Sequence, residues 1–369
     1  MKILVVQQKM IGDVLISSMI CENLKKEYPD AQVDYLVNSF TTPVIENNPF
    51  IDNIILFEDK FRANYISFLK FLLQIRHEKY DVVIDPYAKL ESSLITLFSG
   101  ASKRIGYLNK GLGIAYNQKE KHHNKPKSYY GLAIERRINL FEKLIKKNSI
   151  DPFPKLHLLE TEKAEMIPVF KQHGIDLTSE KVIMISILGS EVSKTYPEDY
   201  MVKLIDFVAE NYAVKILFNY TPKQHKEALS IYNKCLEKTK QSIVLDLIGS
   251  DLRSFIKIMH HCSLIIGNDG GAVNIAKALK KPSFTIFSPW IKKESWSIFD
   301  DGIINKAVHL NDYQPELFKE KKRKEFHENF AFYYDAFQPK FFMKELDVFL
   351  KNNLNFNFIS NTKNKIYGI

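Results

Sequence analysis

The chain has 369 residues, of which 45% are hydrophobic and 26% charged, and it carries a formal net charge of +9. That length is too great for one ordinary core and suits two, since domains cluster at roughly 100 to 200 residues. Its longest apolar runs, such as VIMISIL (Val182–Leu188), are strand-sized, far short of the roughly 20 residues that cross a bilayer, which excludes a membrane-spanning helix.

The amino terminus lacks the basic-then-apolar pattern of an export signal, so a cytoplasmic location is expected. Cys21, Cys235 and Cys262 are scattered and read as reduced core thiols. Lysine dominates the positive excess, with clusters at KHHNKPK (Lys121–Lys127) and KEKKRK (Lys319–Lys324). No nucleic-acid-binding motif accompanies them. They are solvated surface, or they attract an anionic substrate or lipid face.

Taken in chain order, Ile3–Val6 is a β-branched strand and Val14–Tyr28 has apolar residues at helical spacing, so QQKMIGD joins a first strand to a first helix. Strands follow at Gln32–Val37, Asn53–Phe57, Asp81–Ile84 and near Arg104, then a long helix over Tyr130–Lys147. DPFPKLHL interrupts regular structure with Pro152 and Pro154 and marks a natural boundary. The rhythm restarts with strands at Val182–Leu188, Val214–Phe218, Ser242–Leu245, Leu264–Ile266 and Ser283–Phe287, with helices at about 198–211, 223–237, 251–261 and 271–280. Alternation of this kind implies parallel sheets. The expected fold is therefore α/β, two doubly wound domains facing a cleft. A last amphipathic helix is read at Phe341–Leu350, and NTKNKIYGI reads as a loose tail. The expected divisions are 1–165, 166–345 and 346–369.

Three turns carry the chemistry. In an open parallel sheet, ligands sit beyond the carboxyl ends of the strands, and the first such turn holds one glycine, Gly12, followed by Asp13. The plain structural role of Asp13 is to cap the first helix. The second turn is in IIGNDGGAVNIAKALKKPSFTIFSPW (Ile265–Trp290), where Asn268 and Asp269 precede a helix opened by Gly270-Gly271. Unpaired amides at a glycine-lined helix start form a ready diphosphate site, or simply an ordinary capped helix. The third is GSEVSKTYPEDY (Gly189–Tyr200), in which Lys194 can neutralise a phosphate and Ser190 can donate to it.

These stretches, together with NPFIDNII and YDVVIDPYAKLESSLITLFSGASKRIGY, resemble glycosyltransferase family 9, the lipopolysaccharide heptosyltransferases, over most of residues 1–300 and in the right order. The resemblance implies a GT-B architecture, two Rossmann-like domains with the acceptor on the first and the nucleotide-sugar donor on the second. It implies an inverting transfer that requires no metal and no cofactor. Asp13 matches the family's general base, and Gly12 stands beside it on the acceptor side. A positioned carboxylate would take the proton of a sugar hydroxyl as that hydroxyl attacks the anomeric carbon. Ser190 and Lys194 match the family's phosphate-contacting hydroxyl and lysine. Asp269, Gly270 and Gly271 match its D-T-G, so a lysine and helix-end amides would stand in for a divalent ion at the leaving group. The family's D-T-G-x-x-H histidine is here Asn274, a hydrogen-bonding but uncharged residue. FNYTPKQHKEA (Phe218–Ala228) shows no obvious equivalent of the acid that reaches the donor ribose.

On the acceptor side the resemblance implies an anionic, lipid-linked sugar core. Lys89, Lys103, Arg104 and the Lys121–Lys127 cluster are candidate contacts, each with solvated surface charge as its plain alternative. His122 and His123 do not read as a metal pair, and no metal-ligand spacing is evident. The basic, aromatic region from Lys319 to Phe342 could lean on an anionic membrane, although helix packing accounts better for its aromatics. The leading reading is an inverting heptosyltransferase-type enzyme at the cytoplasmic membrane face. A hydrolysing epimerase of similar architecture is one alternative, and a non-catalytic module binding nucleic acid or an acidic protein is another.

Overall fold

The computed structural model describes residues 1–319 and 323–354, so the expected tail lies outside the described residues. Six parallel strands form the first sheet: β1 (Lys2–Val6), β2 (Gln32–Val37), β3 (Asn53–Leu56), β4 (Val82–Ile84), β5 (Lys103–Tyr107) and β6 (Gln118–Glu120), in the order 3-2-1-4-5-6. Six more form the second: β7 (Lys181–Ser186), β8 (Val214–Phe218), β9 (Ile243–Val244), β10 (Leu264–Asn268), β11 (Ser283–Ile286) and β12 (Asn305–Val308), in the order 12-11-10-7-8-9. Counted from its own first strand, the second order is the same as the first. The central strands are apolar on both faces: Ile3, Leu4, Val5 and Val6 in β1 and Val182 to Ile185 in β7 are all buried, as a parallel sheet covered on both sides requires. The register pairs Ile3 with Val33 and Val82, and Ile265 with Met184 and Ser283.

The helices that shape the site are α1 (Ile11–Glu27), α2 (Tyr65–His77), α3 (Leu132–Phe141), α4 (Glu198–Asn211), α5 (Leu252–His261), α6 (Gly271–Ala278) and α7 (Met343–Leu354). Buried apolar residues run along α1 from Val14 to Leu24, nearly all round its surface, because it is clamped between the first sheet and the second half. Each such side chain contributes roughly 1.5–3 kcal/mol. α3 is shorter than the expected Tyr130–Lys147. It starts after Gly131 (φ +82°), where an added Cβ would lie 2.1 Å from the Ser297 carbonyl oxygen, so only glycine fits that close approach. A 3-10 turn at Glu142–Leu144 then ends the helical segment.

The halves touch along a broad front. One apolar core continues from β1 through α1 and α6 to β7 and β10. Phe153 of the crossing segment stacks on Phe299 at 4.5 Å. Arg253 of α5 reaches the first half through the Pro43 carbonyl (2.9 Å) and holds the crossing segment through Glu162 (2.7 Å) and the His157 carbonyl (2.7 Å). That ion pair pulls the Glu162 carboxyl down to about 2. The division expected after residue 345 falls inside α7. This helix packs against the second core as one piece through Leu346, Phe349 and Leu350, so the helix is part of the second half.

Candidate active site

The turn after β1 is an extension of the sheet before it is a loop. The Gln7 amide donates to the Leu36 carbonyl (3.0 Å) and the Gln8 carbonyl accepts from the Asn38 amide (2.9 Å). Met10, extended, is the cap residue of α1, and its carbonyl accepts from Val14 (2.8 Å) without any side-chain cap. Asp13 therefore lies within the first helical turn, where a negative charge suits the helix dipole, and does not cap the helix.

Its carboxylate goes instead to Arg137 on α3. Arg137 donates Nη2–H to Asp13 Oδ1 (2.6 Å), Nε–H to Ser17 Oγ (2.7 Å) and Nη1–H to the Ala133 carbonyl (2.8 Å). Ser17 donates to Gln7 Oε1 (3.2 Å), and Gln7 Nε2 donates to the Lys9 carbonyl (2.7 Å). The chain of bonds starts in the turn and returns to it, which fixes the carboxylate relative to its own loop. Oδ2 of Asp13 accepts no hydrogen bond among the described residues, and the side chain keeps 21% of its surface exposed.

In the second half, β10 ends on Asn268, which accepts from the Tyr196 amide (2.7 Å) and donates to the Ser186 carbonyl (2.9 Å), tying the turn after β10 to the turn after β7. Asp269 and the extended Gly270 (φ 170°) follow, and α6 opens at Gly271. Among the described residues, and apart from its two chain neighbours, no atom comes within 4 Å of where a Gly270 side chain would begin, so the helix start is open there. Burial pushes the half-buried Asp269 carboxyl up to about 6, with the Lys277 and Lys194 charges pulling it back. In the turn after β7, Ser190 is exposed. Lys194 pairs with Glu191 (3.0 Å) and sits 5.4 Å from the centre of the Trp290 ring. The indole donates to the Ser193 carbonyl (2.8 Å), and the Arg323 guanidinium also lies over the ring, at 4.9 Å.

The two turns meet. A Cβ added to Gly12 would stand 2.5 Å from Asn274 Nδ2, and one added to Gly271 would stand 3.6 Å from Ile11 Cγ2. The first turns of α1 and α6 are thus in contact, with Asp13 one residue beyond the meeting point. Gly12 is buried in this contact, so the structure gives it a packing role rather than an exposed acceptor-facing one.

Lys89 and Lys110, from the turns after β4 and β5, share a cavity of about 420 Å³ with Tyr87 and Leu112. A second cavity of about 550 Å³ is lined by Lys110, Lys121, His122 and His123. Burial, then the charges of Arg136, Lys89 and Arg137, pull the Lys110 ammonium down, while Asp13 holds it up. Burial, aided by Lys110 and Arg136, pushes His122 down to about 4. Lys103 and Arg104 are elsewhere: they open β5, at the amino rim of the sheet, and Arg104 is spent on the Ala115 (2.9 Å) and Ala101 (2.8 Å) carbonyls. Strand direction is the reason, since the cleft lies beyond the carboxyl ends. Among the described residues no three His, Cys, Asp or Glu side chains are grouped to hold a metal.

Arg137, Lys110 and Trp290 were not read as site residues from sequence. Arg137 was visible as a cation at a core-facing position of the LAIERRINLF helix, one turn from Ala133 and from Leu140-Phe141. Lys110 sits in the glycine-flanked KGLG turn. Trp290 stands alone at the end of the SFTIFSPW run, with no local pattern to mark it.

A model of glycosyltransferase family 9 (heptosyltransferase) matches residues 68–325. Lipopolysaccharide heptosyltransferase 1 of Campylobacter coli is 24% identical over 312 residues, 78% of this chain and 84% of that one. A family 9 glycosyl transferase from Veillonella parvula superposes with a TM-score of 0.73 at 18% identity, over 95% of this chain and 97% of that chain. The Escherichia coli heptosyltransferase WaaC, solved with ADP-2-deoxy-2-fluoro heptose, superposes at 0.64 with 16% identity, over 84% and 93%. With two like-ordered sheets of GT-B type and a family match across most of its length, the chain belongs to glycosyltransferase family 9, the heptosyltransferases, and not to the epimerases or non-catalytic modules its sequence left open.

Proposed function

We propose that the protein transfers a sugar, with inversion and without a divalent ion, from a nucleotide-diphosphate sugar such as ADP-heptose to the anionic, lipid-linked core of a lipopolysaccharide at the cytoplasmic membrane face. Asp13 is the general base: the acceptor hydroxyl donates its proton to the open Oδ2 while the hydroxyl oxygen bonds to the anomeric carbon and the diphosphate departs. Lys194 and the open amides at the start of α6, with Ser190 at the rim, receive the charge that develops on the leaving phosphate. Asp269 and Asn274 flank that pocket, and Lys89 and Lys110 receive anionic groups of the acceptor. The fluoro-heptose nucleotide bound by the E. coli neighbour supports ADP-heptose as the donor.

The observation that carries this reading is the contact between the first turns of α1 and α6, which brings the helical turn that contains Asp13 against the helix that Gly271 opens. The test is a thermal-shift screen against ADP-, GDP-, UDP- and dTDP-sugars, because a ligand held only by the folded state raises the melting temperature. ADP-heptose should stabilise the protein most, and it should then support transfer to a lipopolysaccharide core acceptor. A flat response to every donor would overturn the reading.

A further inference from the structure

We propose that the outer face of α2 is a docking surface for an anionic lipid bilayer. α2 turns Phe71, Leu72 and Ile75 inward to an apolar cluster under the first sheet. On its other side Tyr65, Ile66, Leu69 and Leu73 remain 87%, 68%, 50% and 55% exposed. Ile66, Leu69 and Leu73 recur at helical spacing and form one stripe. A helix that is apolar on two opposite faces needs a second apolar cover.

Charge identifies the cover. The α2 segment, YISFLKFLLQIRH, contains no acid, and Lys70 and Arg76 are exposed along it. An apolar stripe with cations and no carboxylate fits the headgroup boundary of an anionic leaflet, where apolar burial and electrostatic attraction add. Position agrees. α2 begins beyond the carboxyl end of β3, and Arg62, just ahead of it, donates to Gln8 Oε1 (2.9 Å) in the turn that carries Asp13. The face thus adjoins the rim at which a lipid-linked acceptor would enter. The inference takes only its purpose from the reaction proposed above. In the stretch Lys319–Phe342, read from sequence as a membrane contact or as packing, Phe326, Tyr333, Tyr334, Phe337 and Phe342 are buried while Phe332 is exposed.

The test is flotation of the full chain with vesicles of phosphatidylcholine alone and of phosphatidylcholine mixed with phosphatidylglycerol. The wild-type protein should float with the mixed vesicles and much less with the neutral ones. Leu69→Glu with Leu73→Glu should lower partitioning at least about tenfold without lowering the melting temperature. Lys70→Glu should lower only the preference for anionic vesicles, by about tenfold. Failure of the wild-type protein to float would overturn the proposal, as would unchanged flotation of the double variant. So would a dimeric wild-type protein that the double variant converts to monomer, since a second copy would then be the cover. Asp13→Asn should float like wild type. Flotation that persists in a protein unable to transfer sugar would defeat the proposed reaction and leave the docking surface standing.

Discussion

The two halves have the same strand order and opposite chemistry at equivalent turns. After the first strand of one half stands Asp13, a carboxylate engaged by Arg137; after the first strand of the other stands Lys194, a cation beside Trp290. After the fourth strand both carry an acid that burial pushes up to about 6. In the first half that acid, Asp85, is sealed by the Tyr116 hydroxyl (2.7 Å) and the Ala88 amide (2.8 Å), and its helix begins only at Leu90. In the second, Asp269 runs straight into Gly270 and the open start of α6. Topology therefore supplies two equivalent ligand positions, and turn length, glycine and the sign of one side chain decide what each can hold. An anion cradle suits the half with a lysine and an exposed helix start. A proton acceptor suits the half where one carboxylate oxygen is held and the other left open.

If the halves divide the labour in this way, removing the base should have the largest effect. Asp13→Asn should lower kcat roughly 100- to 10,000-fold with the donor Kd unchanged, measured by transfer assay and calorimetry. Lys194→Met should lower kcat/KM about 100-fold or more and reduce the thermal shift given by the donor. It breaks the opposite side of the comparison, because here binding and turnover fall together.

Arg137→Met sharpens the first half. It leaves Asp13 without its partner and should cost about 1–3 kcal/mol in urea unfolding, discounted for the partial exposure of Asp13. It should lower kcat more than KM, with Arg137→Lys recovering part of the loss. Asp269→Asn sharpens the second half through its pH dependence. The folded-state carboxyl is raised to about 6 from an unfolded value near 4. Its cost to stability is therefore absent below about pH 4, grows between these values and is complete above about pH 6. The variant should be more stable than wild type by about 1–2 kcal/mol at neutral pH, and the gain should vanish in acid. Smallest of all, Lys103→Ala should leave the acceptor KM within about twofold of wild type, whereas Lys110→Ala should raise it severalfold.

Much of this was legible in the sequence. The apolar runs of β1, β2, β7, β8, β10 and β11 announce buried parallel strands, and these follow the sequence reading to within a residue or two. β6 was missed because QKE has no apolar pattern, and β12 because NKAV is too short to stand out at the edge of its sheet. Asp13 was visible in its turn. Its pairing with Arg137 was not, because that arginine lies 124 residues away and its guanidinium reaches the carboxylate only once α3 packs on α1. Lys103 and Arg104 read in sequence as candidate acceptor contacts near strand ends, and the structure puts them at the start of β5, because charge in a sequence carries no strand direction. Gly12 reads in sequence as part of a ligand turn, and only the neighbouring helix shows that it is a packing glycine. Pairings between halves are set by tertiary contact, to which local propensity is blind.

The most direct test of the central claim asks whether the turn that carries Asp13 and the start of α6 truly meet. A Cβ on Gly271 would stand 3.7 Å from Ile11 Cβ, within the span a disulfide bridges. Ile11→Cys with Gly271→Cys should therefore cross-link under mild oxidation, read by mass spectrometry of the peptides joining the two halves, while either single variant stays reduced. Failure of the folded double variant to cross-link would separate Asp13 from the start of α6 and contradict the account.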